Sequence, residues 1–154
     1  MKYTETYRTP VNKNYNSCYE CYAILLIYPA DIHPDEITKL LDQKPTLCLV
    51  FGDEFTNVRG MMRKVKCSIW ELSSNDFMES RDIRDHIDWL LDKIEPRSKE
   101  LKELQENPDL TMCIYCTWRA KRGYGGPVLW PSQMKRMSDL NLECSFDAYF
   151  FTED

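Results

Sequence analysis

The chain has 154 residues, enough for one domain with a substantial core, since a fold of this size buries roughly 70% of the surface its unfolded chain exposes. An apolar share of 43% and a charged share of 29% are those of a globular protein and exclude wholesale disorder. A net charge of −5 argues against a phosphate-neutralising nucleic-acid face and against an anionic membrane surface, and suits a basic protein partner.

The longest clean apolar run, residues 23–27, is far short of the ~20 residues that a membrane span needs. The opening residues Met1-Lys2-Tyr3-Thr4-Glu5 show no basic-then-apolar pattern, so no secretory signal is read and a cytoplasmic location is expected. Seven cysteines, an odd number, then point to reduced thiols and not to a disulfide framework.

Residues 1–18 are polar, with Pro10 and several asparagines breaking any period, and read as an N-terminal arm or irregular segment ahead of a single domain at 19–154. Residues 19–28 (YECYAILLIY) predict a buried strand that Pro29 stops. Pro34 fits a first helical position, Asp35 and Glu36 suit the positive end of the helix dipole, and Ile37, Leu40 and Leu41 form an apolar stripe. Strands follow at 47–51 and 67–72, separated by a charged stretch around Gly52 and Gly60. Residues 80–95 carry Ile83, Ile87, Leu90, Leu91 and Ile94 at helical spacing, and Pro96 ends or kinks that helix before a short continuation at 98–106. A strand at 110–118, a helix opened by Pro131 and a strand at 142–151 complete the chain.

Interleaved strands and helices with short connections predict an α+β sandwich, a mixed and mainly antiparallel sheet with helices packed on one face. The first six elements follow the split βαβ, ferredoxin-like order, which hosts many activities and selects none.

Two CxxC pairs, Cys18/Cys21 and Cys113/Cys116, have the donor type for tetrahedral zinc. Neither pair has a glycine nearby, and both sit in or beside predicted strands, where i and i+3 face opposite ways. Packed thiols are the simpler reading, so no metal site and no cofactor are assigned. The two histidines, His33 and His86, read as a helix-capping residue and as a residue flanking an apolar stripe. No catalytic residue is assigned, because no nucleophile, metal or phosphate-loop motif is present. The glycine-rich segment 122–127 lacks the Lys-Ser/Thr of a phosphate loop; with Arg119, Lys121 and Arg122 beside it, it is the densest basic cluster.

On a helical wheel of residues 80–95, Asp85, Asp88 and Asp92 fall opposite the apolar stripe, with Asp82 at their edge and Trp89 among them. An aromatic residue set in charge is favoured at protein interfaces, while packing under the 97–106 segment or the N-terminal arm is the plain alternative for Trp89. Asp85, Asp88, Trp89 and Asp92 are therefore the candidate partner-binding residues.

Several segments recur together in one order: residues 31–46 (DIHPDEITKLLDQKPT), Phe51-Gly52-Asp53, residues 68–74 (SIWELSS), residues 82–96 (DIRDHIDWLLDKIEP), Gly125-Gly126-Pro127 and residues 145–149 (SFDAY). Over roughly residues 20–151 this resembles the bacterial family called domain of unknown function 4279. The resemblance implies an α+β domain and transfers no activity and no catalytic residues. Where that family tends to end its first helix with Leu-Leu-Gly, this chain has Leu40-Leu41-Asp42.

A non-enzymatic protein-binding protein is therefore expected, specifically a bacterial immunity or antitoxin-like protein that neutralises a basic toxin domain by direct binding, with no nucleic-acid or membrane partner. The rival expectation is a small-ligand sensor or an enzyme using the sheet face or the Arg119–Gly126 loop. Oligomeric state is not legible in the sequence.

Overall fold

A computed structural model describes residues 8–151; residues 1–7 of the expected arm, and the last three residues, lie outside them. The apolar run becomes β1 (Cys18–Tyr28), the middle strand of a five-stranded sheet. Its Tyr, Ile and Leu side chains fit a pleated, packed surface. β5 (Ile69–Ser73) and β6 (Thr111–Ala120) flank it, both antiparallel. β2 (Leu47–Leu49) pairs antiparallel with β5, and β7 (Cys144–Tyr149) pairs parallel with β6. The sheet order is β2-β5-β1-β6-β7, mixed as expected. β1 and β2 run the same way with β5 between them.

The charged stretch around Gly52 and Gly60 is not a plain connection. It is a two-stranded hairpin, β3 (Glu54–Thr56) and β4 (Met62–Lys64). Asn57 builds its turn: the side-chain Oδ1 accepts from the amides of Arg59 and Met61, each at 3.0 Å, and Gly60 supplies the positive φ of 74°. Backbone bonds from Gly52 and Val65, at 2.9 and 2.8 Å, tie its base together.

Helix α1 (Pro34–Leu41) starts as its sequence predicts. Pro34 is its first residue, and the Nδ1 of His33 accepts from the Asp35 amide at 3.1 Å. It ends at Asp42 with φ 50°, the left-handed stop for which glycine or asparagine is usual. α2 (Ile83–Ile94) buries Ile83, Ile87, Leu90, Leu91 and Ile94. At Pro96 the chain makes one 3-10 turn and continues as α3 (Ser98–Gln105), which buries Leu101 and Leu104. α4 (Pro131–Asp139) links β6 to β7 and packs against α2.

Period-2 alternation splits the sheet into two faces. Cys21, Ala23, Leu25 and Ile27 of β1, with Trp70, Leu72, Ile114, Cys116 and Trp118, are buried in one core with the helices. Tyr22, Ile24 and Leu26 face the other way and stay half-exposed.

Residues 8–17 are irregular in backbone but firmly docked. Arg84 donates from Nη1 to the Thr9 carbonyl and from Nη2 to that of Pro10 at 3.1 Å. The indole Nε1–H of Trp130 also donates to Thr9, at 2.9 Å, and the Asn12 amide donates to Asp82 at 3.0 Å. The Tyr15 hydroxyl donates to the Gly126 carbonyl at 2.9 Å.

Candidate functional site

The acidic side of α2 is largely satisfied from within. Arg136 on α4 reaches Asp92 at 2.6 Å, Glu95 at 2.6 Å and Asp88 at 3.3 Å. The buried Gln133 donates to Asp88 at 3.1 Å and to the Arg84 carbonyl at 3.0 Å. Asp92 alone of the predicted set is broadly exposed, its side chain 71% accessible. Asp85 is half-buried, and one of its carboxylate oxygens has no hydrogen-bond partner among the described residues. Trp89 is half-buried against the core. It stacks on Phe77 at 5.2 Å and 15°, with the Lys93 ammonium 5.6 Å from its ring centre. Asp82, expected at the edge of a solvated face, is buried instead. It caps α2 by accepting from the Arg84 amide at 3.1 Å and pairs with the Arg84 guanidinium at 2.6 Å.

The other singled-out residues have structural occupations. His86 is buried; the Ser74 hydroxyl lies 2.7 Å from its Nδ1, and its Nε2 lies 2.6 Å from the Ser80 carbonyl. A carbonyl only accepts, so Nε2 carries the proton and Nδ1 accepts from Ser74. Burial holds its pKa below the ordinary histidine value, leaving a neutral ring that joins α2 to the end of β5. Ser74 and His86 are 0% and 1% exposed.

The thiols divide in an unexpected way. A bulge after Cys18 adds a residue to β1, so Cys18 and Cys21 both face the core. Cys113 and Cys116 obey the ordinary alternation and point to opposite faces. The four thiols therefore do not converge; Cys116 instead lies 3.9 Å from Cys144, sulfur to sulfur, and its thiol pKa is pushed up by that contact and by burial.

The glycine-rich loop is tightly seated, not slack. Gly125 has φ 103°, and a β-carbon there would stand 2.4 Å from the Ser17 Cβ.

A site not singled out from the sequence lies on the half-exposed face of the sheet. The parallel register places Tyr115 beside Ser145 and Arg119 beside Tyr149, which brings a polar cluster around Asp147. Its carboxylate accepts from the hydroxyls of Tyr149 at 2.6 Å and Tyr115 at 2.8 Å. These bonds hold Asp147 below the usual carboxylate range and push Tyr115 up to about 12. Arg119 lies over the Tyr149 ring at 5.6 Å and pairs with Glu20 at 3.4 Å. Towards β2 the same face continues through Ile24, Leu26, Ile69 and Glu71, whose pKa burial raises. Apolar and aromatic side chains thus sit among Glu20, Glu71, Asp147 and Arg119, and at the β2 edge Ile69 also borders Arg63, Lys64 and Lys66. The sequence signal for this face is the alternation of Tyr22, Ile24 and Leu26 with buried neighbours, visible only once β1 is known to be covered on one side.

Among the described residues no group of three or more His, Cys, Asp or Glu side chains is placed to hold a metal ion. No described helix is long and apolar enough to cross a membrane.

The fold and this face define an α+β domain built on a mixed sheet of five strands. The chain belongs to the family described as Domain of unknown function (DUF4279), whose model matches residues 19–151. No curated protein and no solved structure matches it.

Proposed function

We propose that this is a non-enzymatic, cytoplasmic protein-binding protein, acting as an immunity or antitoxin-like inhibitor that covers a basic partner domain. The observation that carries the reading is the half-exposed sheet face. It offers Tyr22, Ile24, Leu26 and Tyr115 beside the acids Glu20, Glu71 and Asp147, which outnumber Arg119 away from the β2 edge, where Arg63, Lys64 and Lys66 line a neighbouring groove. Aromatic anchors with an excess of one charge sign suit a protein interface, and the net charge of −5 speeds encounter with a basic partner. Nucleic acid and anionic membranes are disfavoured by the same sign. The fold reads as ferredoxin-like with β7 added at one edge. Supporting this, β1 and β2 run parallel with β5 inserted between them, the relation of a split βαβ unit.

The acidic side of α2 is the competing contact surface, and Asp92, paired with Arg136 yet broadly accessible, is its exposed end. A tagged chain, recovered from its host at moderate salt and analysed by mass spectrometry, separates the two. One stoichiometric basic protein is expected, lost with Ile24→Lys and kept with Asp92→Lys. Loss with Asp92→Lys and retention with Ile24→Lys moves the contact to Asp85, Asp88, Trp89 and Asp92. A chain that retains nothing overturns the inhibitor reading.

A further inference from the structure

We propose that the groove between the β3–β4 hairpin and the β2–β5 edge of the sheet binds a small amphiphilic anion, an apolar body ending in a carboxylate. The groove has a volume of about 700 Å³, within the range of small-molecule sites. Its floor is apolar, formed by Leu49, Phe51, Phe55, Met62, Val65 and Ile69. Several of these are costly to leave in water: Phe51 is 70% and Met62 64% exposed. The walls are held in place without a ligand, by the Gly52–Val65 ladder at the hairpin base and by the Ser68 hydroxyl, which accepts from the Phe51 amide at 2.9 Å.

Charge selects the head group. Arg63, Lys64 and Lys66 line this groove, and none of the ion pairs among the described residues involves them. Residues 51–67 carry Arg59, Arg63, Lys64 and Lys66 against Asp53 and Glu54, a local excess of positive charge in an acidic chain. Glu54 lies directly opposite Lys64 in the hairpin, so Arg63 and Lys66 are the cations left for a ligand. An apolar floor under a cationic rim discriminates against neutral and cationic amphiphiles of the same length. The groove shares Ile69 with the half-exposed sheet face but includes none of Ile24, Glu71, Tyr115 or Asp147, and it does not depend on a protein partner.

Calorimetric titration of the full chain with decanoate, below its micelle concentration, tests this against decanol and decyltrimethylammonium. Saturable 1:1 binding of decanoate is expected, at least tenfold tighter than either comparator. The double variant Arg63→Glu/Lys66→Glu is expected to lose that preference while still binding decanol. Met62→Asp should weaken all of them, and Ile24→Lys none. Both residues at the rim are exposed, so folding is checked by circular dichroism and is expected to be unchanged. Equal affinity for the three probes, or no decanoate binding at millimolar concentration, overturns the proposal. So does a concentration-dependent dimer that Met62→Asp dissociates, because the groove would then be covered by a second copy of the chain.

Discussion

Arg84 and Asp82 hold each other at 2.6 Å with side chains 0% and 1% exposed. The same guanidinium lies 5.1 Å from the centre of the Trp130 ring and donates to the carbonyls of Thr9 and Pro10. The same carboxylate caps α2 and accepts from Asn12. One buried pair therefore starts a helix, seats the N-terminal segment and meets Trp130, the residue just ahead of α4. A buried charge pair of this kind adds little over a packed apolar pair, yet half of it is costly to leave behind.

Arg84→Met is accordingly expected to lower stability by about 3–5 kcal/mol, the range for breaking a buried ion pair, read as a fall in the urea midpoint. The loss is also local. Trypsin should cut after Lys13 far faster in the variant, because the Pro10 carbonyl loses its donor and that of Thr9 keeps only the Trp130 indole. A midpoint shift with unchanged cleavage at Lys13 would mean that the pair supports α2 alone.

Local rules were enough for the long elements, because each carries its own period and punctuation. Pro34 and Pro131 at helix starts, Pro29 after β1 and the Ile83–Ile94 stripe are all written within a few residues of where they act. Long-range pairings were not legible. Arg136 meets Asp92 across 44 positions and Gln133 meets Asp88 across 45, so a helical wheel of α2 shows solvated carboxylates where the fold has an ion-pair network. The hairpin strands are three residues each and wholly exposed, and so carry no burial alternation. The bulge that turns Cys18 inward depends on the pairing of Cys18 with Ala120 and of Glu20 with Arg119. The cluster at Asp147 is a product of parallel register, which no single strand encodes.

His86 makes stability depend on pH in a defined window. Its folded pKa lies below the ordinary value of 6.5, so between the two values the unfolded chain binds more protons. Stability is therefore full above about pH 6.5 and falls as pH drops towards the folded value, with a slope that stays below about 1.4 kcal/mol per pH unit, the linkage limit for one proton. Below the folded value this contribution is exhausted. His86→Gln is expected to be less stable at pH 8, having lost the Ser74 and Ser80 bonds, and flatter between pH 7 and pH 5. Chemical denaturation at several pH values measures both; an unchanged slope in the variant would assign the dependence to other groups.

Gly125 is required twice over, by its φ of 103° and by the 2.4 Å approach of Ser17 to an added β-carbon. Gly125→Ala is expected to cost about 1–3 kcal/mol, the range for a residue forced into sparsely populated backbone. The two causes separate in a double variant. Ser17→Gly removes the steric part and leaves the backbone part, so Ser17→Gly/Gly125→Ala should recover some of the loss relative to the Ser17→Gly single variant, and not all. Full recovery would show that the backbone there relaxes freely.

Arg136 carries the counter-charge for one side of α2, and its removal should change the sign of a neighbouring substitution. In the native chain Asp92→Asn breaks a largely exposed pair and is expected to cost under about 1 kcal/mol. Without Arg136, the carboxylates of Asp88, Asp92 and Glu95 are left one helical turn apart with no cation from α4, and like charges at that spacing destabilise a helix. Asp92→Asn should then stabilise the Arg136→Met variant by a few tenths of a kcal/mol, about the size of one such repulsion. The reversal is electrostatic, so it should be largest at low salt and fade towards 1 M, where the screening length falls to roughly 3 Å. A thermal-denaturation double-mutant cycle at two salt concentrations measures it. If Asp92→Asn destabilises in both backgrounds, Asp92 serves α2 through some contact other than Arg136, and its carboxylate is not the spare charge that the partner-facing reading of α2 requires.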